Sequence, residues 1–130
     1  MTEGDLMASE SGGHVLIVDD DEMVTNLLRK LIETEAAVEV AVNGTDAIAR
    51  LGESEYDLLF LDLRMPGGSG QMVIDHLRGV EQDARPKVIV LSAVANENTR
   101  LDESIVTAII RKPFDPTNIG AIVRRYLTEA

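Results

Sequence analysis

The feature that most constrains this chain is a series of short, unbroken apolar runs, each stopped by polar residues. His14-Val15-Leu16-Ile17-Val18 ends at Asp19, Leu58-Leu59-Phe60-Leu61 at Asp62, Lys87-Val88-Ile89-Val90-Leu91 at Ser92, and Val106-Thr107-Ala108-Ile109-Ile110 at Arg111-Lys112-Pro113. Runs this short and this rich in β-branched residues suit strands buried on both faces better than helices. Val38-Glu39-Val40-Ala41-Val42 instead alternates with period two, as an edge strand does, and Asn43-Gly44 ends it.

Between the runs, apolar residues return at helical spacing. Met23, Leu27, Leu28, Leu31 and Ile32 predict a first helix, and Ala47, Ile48 and Leu51 a second, with Thr45 as its N-cap and Gly52 as its end. Met72, Val73, Ile74 and Leu77 predict a third, closed by Gly79. Asn96 to Ser104 is a fourth with little apolar face beyond Leu101 and Ile105, which implies low local stability. In the last, Asp115 caps, Pro116 takes the first position, and Ile119, Ile122, Val123, Tyr126 and Leu127 face inward. Such alternation makes an α/β fold, a doubly wound five-stranded parallel sheet with helices on both faces. Residues 1–13 are polar and aperiodic, a flexible N-terminal tail, and 14–128 form one domain.

Composition narrows the function classes. With 130 residues, 45% apolar and 27% charged, the chain has the make-up of a soluble protein with one core. It has no apolar run of bilayer length and no signal peptide, and its zero cysteines remove disulfides and thiolate metal sites. A cytoplasmic protein without membrane attachment is expected. The net charge of −11 opposes attachment to nucleic acid, so no direct nucleic-acid binding is expected either. Asn43-Gly44-Thr45 fits a glycosylation sequon but reads better as a turn.

The chemistry lies at the carboxyl ends of the strands. There the first run delivers Asp19 and Asp20, the third strand Asp62, the fourth Ser92 and the fifth Lys112, and in a doubly wound sheet those ends converge on one crevice. Three ionised carboxylates at one place repel unless a cation offsets them. All the ligand atoms are oxygen, which favours Mg²⁺ over zinc. Lys112 and Ser92 suit the oxygens of a transferring phosphoryl group, and Asp62 suits the nucleophile of an aspartyl phosphate. Taken singly, each has an ordinary account: Asp19-Asp20-Asp21 as helix cap and solvated charge, Ser92 as a turn residue, Lys112 as a surface lysine.

Taken together, Val18-Asp19-Asp20-Asp21, Leu61-Asp62-Leu63-Arg64-Met65-Pro66 with Gly70, Leu91-Ser92-Ala93 and Lys112-Pro113-Phe114 resemble the receiver domain of two-component response regulators, over nearly the whole chain. The resemblance implies the flavodoxin-like strand order 2-1-3-4-5. It implies that Asp62 accepts phosphate from a histidine of a sensor histidine kinase or histidine phosphotransfer protein, and that Asp19, Asp20, Asp62 and the backbone carbonyl of Arg64 hold Mg²⁺. Ser92 and Lys112 take the switch-hydroxyl and lysine roles. The phosphodonor histidine belongs to the partner, so His14 and His76 are structural or exposed. Such a domain is not an enzyme beyond catalysing its own phosphorylation and dephosphorylation, and it signals to a downstream protein that the sequence does not name.

Two departures stand out. Ile109 occupies the place of the family's switch aromatic, three residues before the lysine, and the Gly-Ala turn before the fifth strand is missing, which shortens the segment from Asn96 to Val106. A working phosphorylation site with signalling through backbone shifts between Ser92 and Val106 is therefore expected. Arg64, overhanging the crevice, either contacts the phosphoryl group or lies on solvent, and small Ala93 leaves the site accessible. The expected reporting surface is the fourth helix, fifth strand and last helix, with Arg111, Arg124 and Arg125 as a basic exception. Competing readings are a degenerate receiver that only binds proteins, an Mg²⁺-dependent phosphohydrolase, opposed by Arg64 where a second acid belongs, and a nucleotide-binding domain, for which Gly67-Gly68-Ser69-Gly70 is a weak motif.

Overall fold

Side-chain parity along the strands decides which layer each apolar residue joins. In a computed structural model, which describes residues 13–65, 69–92 and 102–128, Leu16, Val18, Leu59, Leu61, Val88 and Val90 join one core, while Val15, Ile17, Leu58, Phe60, Ile89 and Leu91 join the other. Alternate residues of one strand point to opposite faces, so unbroken apolar runs require helices on both. The strands are β1 His14–Val18, β2 Ala37–Ala41, β3 Leu58–Asp62, β4 Lys87–Ser92 and β5 Val106–Arg111, all parallel, in the order β2-β1-β3-β4-β5. This is the doubly wound order that the resemblance implied.

Four helices are described: α1 Glu22–Ile32, α2 Gly44–Glu53, α3 Ser69–Arg78 and α4 Pro116–Thr128. Ala47 of α2 and Val73, Ile74 and Leu77 of α3 pack on the first face; Leu28 and Ile32 of α1 and Ile119 and Val123 of α4 pack on the second. A short 3₁₀ turn, Gln82–Ala84, leads into β4.

The helix faces differ in detail from the expectation. Of the expected face of α1, Leu28 and Ile32 are buried and Leu31 is partly buried, but Met23 is 81% exposed and Leu27 40%, and Thr25 is buried with them; the helix lies on the sheet through a narrower arc than its apolar spacing offers. Met72 likewise faces solvent. Asn43, not Thr45, caps α2: its side chain accepts from the Asp46 amide at 2.8 Å, because Asn43 holds the extended backbone a cap needs and Thr45 is already helical. α2 also runs past Gly52 to Glu53. Of the helix expected at Asn96 to Ser104, residues 96–101 lie outside the described residues, and Asp102 to Ser104 lead through a turn into β5. Residues 1–12 of the expected tail and Gly67-Gly68 lie outside them too.

Register places the strand ends. Asp62 is level with Leu91, and Ser92 with Arg111. Between Val88 and Ile89 the pairing with β5 slips by one: Val88 faces Val106 but Ile89 faces Ala108, which leaves Thr107 as an extra residue. Ile109 comes level with Val90 and is 56% exposed.

Candidate functional site

β1 and β3 are the two central strands on either side of the chain reversal, and each ends in a buried carboxylate: Asp19 is 1% exposed and Asp62 6%. Leaving water costs a carboxylate free energy unless hydrogen bonds replace the lost hydration, and here they do. Asp19 Oδ1 accepts from the Asp21 amide at 2.9 Å, and Asp62 Oδ1 accepts from the Arg64 amide at 2.9 Å. Asp21, next in the chain, turns its own side chain to the Met23 amide and caps α1. Each carboxylate is thus aimed by the loop that follows it.

Their second oxygens meet a single cation. Lys112 Nζ lies 2.8 Å from Asp19 Oδ2 and 3.4 Å from Asp62 Oδ2. The lysine is itself placed by its backbone, whose amide donates to the Ser92 carbonyl at 2.7 Å. Burial raises the Asp19 carboxyl above its ordinary range; the hydrogen bonds from Lys112 and the Asp21 amide oppose this, and the Asp62 charge adds to it. For Lys112, burial pulls the ammonium down, but the hydrogen bond to Asp19 and the charges of Asp19 and Asp62 outweigh it and leave the ammonium more firmly protonated than usual.

Asp20 completes the group from an exposed position. One carboxylate oxygen from each of Asp19, Asp20 and Asp62 lies within 4.8 Å of the others. Three negative charges face one ammonium there, so a hard cation fits the charge and the donor set, and oxygen ligands of this kind are those of Mg²⁺ or Ca²⁺. Ser92, half-buried, ends β4 one residue past the partner of Asp62. Arg64 is exposed and bears on the site through its backbone amide.

The structure therefore brings Asp19, Asp20, Asp62 and Lys112 together as expected and sets Ser92 at the same end of the sheet. Ile109 lies on the outer face of β5. His14 has a structural position at the opposite end, where its ring bonds Glu39 at 2.8 Å and stacks on Tyr56. Gly70, already part of the motif after Asp62, proves to sit where backbone approaches closely. In the first turn of α3, any Cβ there would lie 2.8 Å from the carbonyl oxygens of Asp62 and Leu63. Its sequence signals were its place in the motif after Asp62 and a glycine where a helix ordinarily disfavours one.

The family model described as the response regulator receiver domain matches residues 15–124. The chain belongs to that family. The transcriptional regulatory protein ResD of Bacillus subtilis is 39% identical to this receiver over 119 residues, covering 89% of the chain and 48% of ResD. CpxR of Klebsiella pneumoniae is 37% identical over 116 residues, covering 87% of the chain and 48% of CpxR. The receiver thus spans about half the length of these two relatives. Among solved structures, the receiver domain of the Francisella response regulator 1452 matches with a TM-score of 0.77 and 25% identity, over 90% of this chain and 98% of that one. Receivers of two-component systems work with histidine kinases or phosphotransfer proteins, and aspartyl phosphorylation with Mg²⁺ is general among them. Among the described residues, no helix is long and apolar enough to cross a membrane.

Proposed function

We propose that this receiver is a phosphoacceptor that takes a phosphoryl group on Asp62 from a phosphohistidine of a sensor kinase or phosphotransfer protein, in the cytoplasm, with residues 14–128 as the working unit. The observation that carries this is the meeting of three carboxylate oxygens within 4.8 Å beside a lysine that reaches both buried members. In the transfer, an Asp62 oxygen forms the O–P bond while the P–N bond to the donor imidazole breaks. The electron pair stays on the imidazole nitrogen.

Asp19, Asp20 and Asp62, with the main-chain carbonyl of Arg64, would hold Mg²⁺. When bound, the ion offsets the negative charge of the carboxylates and the incoming phosphoryl oxygens. Lys112 is pre-placed 3.4 Å from Asp62 Oδ2 and neutralises phosphoryl charge without having to move in from solvent. The Arg64 amide fixes the rotation of the Asp62 carboxylate, and Ser92 supplies a hydroxyl at the end of the neighbouring strand. The change is then reported through the backbone between Ser92 and Val106 to β5 and α4, since Ile109 carries no aromatic ring to swing.

Incubation with acetyl phosphate and Mg²⁺, followed by intact-mass spectrometry, tests this. Wild type should gain one phosphate and Asp62→Asn none. Failure of wild type to gain mass favours a second reading, a receiver that binds partners without phosphorylation, to which the exposed aliphatic Ile109 lends support.

A further inference from the structure

At the opposite end of the sheet two adjoining cavities open where the chain enters β3 and β4. One, of 340 Å³, is lined by Leu51, Tyr56, Leu77, Val80 and Pro86 with Glu53 and Glu55 at its edge. The other, of 370 Å³, shares Glu55, Tyr56 and Ala84 with the first and adds Asp57, Glu81, Asp83, Arg85 and Lys87. Together they form a groove with an acidic rim, in whose floor Leu51 and Val80 are part-exposed while Tyr56, Leu77 and Pro86 are buried. Asp57 precedes Asp62 by the length of a strand, about 16 Å at the usual rise, so the groove is separate from the phosphoacceptor crevice.

The rim is not neutralised from within. Among the described residues, no hydrogen bond or ion pair engages the side chains of Glu53, Glu55, Glu81 or Asp83, all exposed. The two cations of the lining are turned to backbone oxygens instead: Arg85 donates to the carbonyls of Val80 and Arg78, and Lys87 to that of Tyr126.

We propose that this groove docks a basic, amphipathic segment of a partner protein, with an apolar side chain against Leu51 and Val80 and lysines or arginines on the rim. Charge selects this occupant over the nearest alternatives. Residues 1–12 carry Glu3, Asp5 and Glu10 and no lysine, arginine or histidine, and a second copy brings a net charge of −11; both are repelled. A cationic segment gains from the rim and an apolar anchor from the floor, the usual division between steering charge and buried contact.

A synthetic amphipathic peptide of Lys and Leu, titrated into ¹⁵N-labelled protein at 0.15 M salt with excess Mg²⁺ shielding the crevice, provides the test. Amide shifts should concentrate on residues 52–57 and 81–87. Glu81→Lys/Asp83→Lys, on exposed positions that leave the fold intact by circular dichroism, should weaken binding at least about tenfold, since it replaces two attractive charges of the rim by two repulsive ones. A Lys/Ser peptide lacking the apolar anchor should bind more weakly than Lys/Leu. The proposal fails if shifts gather instead on residues 19–21 and 62–64, if the double variant binds as wild type does, if Lys/Ser binds as well as Lys/Leu, if the protein self-associates through this face, or if no binding is seen.

Discussion

Gly70 and Leu63 meet backbone to backbone: a Cβ on Gly70 would fall onto the Leu63 Cα and lie 2.8 Å from the Leu63 carbonyl oxygen. Main chain cannot rotate away as a long side chain can. The first turn of α3 is thereby seated on the residue that follows Asp62, and the loop that aims the carboxylate is held from behind.

Gly70→Ala should therefore displace the loop after β3 or the start of α3. The expected cost is about 1–3 kcal/mol of stability, measured by urea denaturation. At temperatures where the variant is still fully folded, it should also bind Mg²⁺ more weakly in an NMR titration and gain phosphate more slowly. A variant that loses stability while keeping wild-type Mg²⁺ affinity would show that the contact supports packing alone.

Asp19 presents the opposite case, a residue that the proposed function needs and folding does not. Burial holds its folded-state pKa above the ordinary carboxylate value, so the fold favours its protonated form. Its ionisation weakens the fold as pH rises from the unfolded value through the raised one. Asp19→Asn removes the charge and keeps one acceptor oxygen, which serves the Asp21 amide while Lys112 retains Asp62. Without Mg²⁺ at pH 7 it should be more stable than wild type by about 0.5–2 kcal/mol, an advantage that fades as pH falls below about 4. Phosphorylation should be lost. Paired thermal melts at pH 3.5 and 7 provide the check.

Glu39 ties three elements at the base of the sheet. Its carboxylate accepts from Tyr56 Oη at 2.9 Å and Arg50 at 3.0 Å and bonds the His14 ring at 2.8 Å. The Tyr56 hydroxyl, chiefly through burial and then through its bond to Glu39, is pushed up to about 12. The stability this represents is fully present below the ordinary tyrosine value near 10 and is lost as pH rises through about 12. Absorbance titration should show Tyr56 ionising late, and Glu39→Ala should bring that ionisation earlier. The same substitution leaves a buried hydroxyl without its acceptor and should cost about 1–3 kcal/mol.

Ile109, at 56% exposure, buries too little to matter greatly to the fold. Ile109→Ala should change stability by less than about 1 kcal/mol and leave phosphate uptake at Asp62 unchanged. Methyl NMR with beryllofluoride should show no inward rotamer change at this residue. An inward swing would mean that the aliphatic side chain does the work of the family's aromatic.

The strands were legible because each apolar run needs cover on both faces, and Asp19, Asp62, Ser92 and Lys112 were legible because each closes a run. The parallel order was legible only through the family motifs. Helix faces were less so. Met23 and Leu27 sit at helical spacing, but how a helix lies on the sheet decides which part of an apolar arc is covered, and that is a tertiary matter. The cap at Asn43 was passed over for Thr45 because both are capping residues, and the choice depends on where the extended backbone ends. Contacts such as Lys112 with Asp19, 93 residues apart, follow from topology. The cluster around Glu39 joins side chains from several elements with no motif to announce it.

The slip that leaves Thr107 unpaired works as a spacer whose length is measured against a bond. Without it, the pairing that starts at Val88 and Val106 would put Ser92 level with Ile110, and Lys112 would stand one more residue, about 3.3 Å, beyond the crevice. Parity would reverse as well: Thr107, Ile109 and Arg111 would turn to the face now filled by Ala108 and Ile110, and the lysine would leave from the other side of the strand. A link of 2.8 Å to Asp19 has no room for either change. Pairing Thr107 with Ile89 would thus alter no residue of the site and still separate its ammonium from its carboxylates, so the site depends on strand register as much as on residue identities.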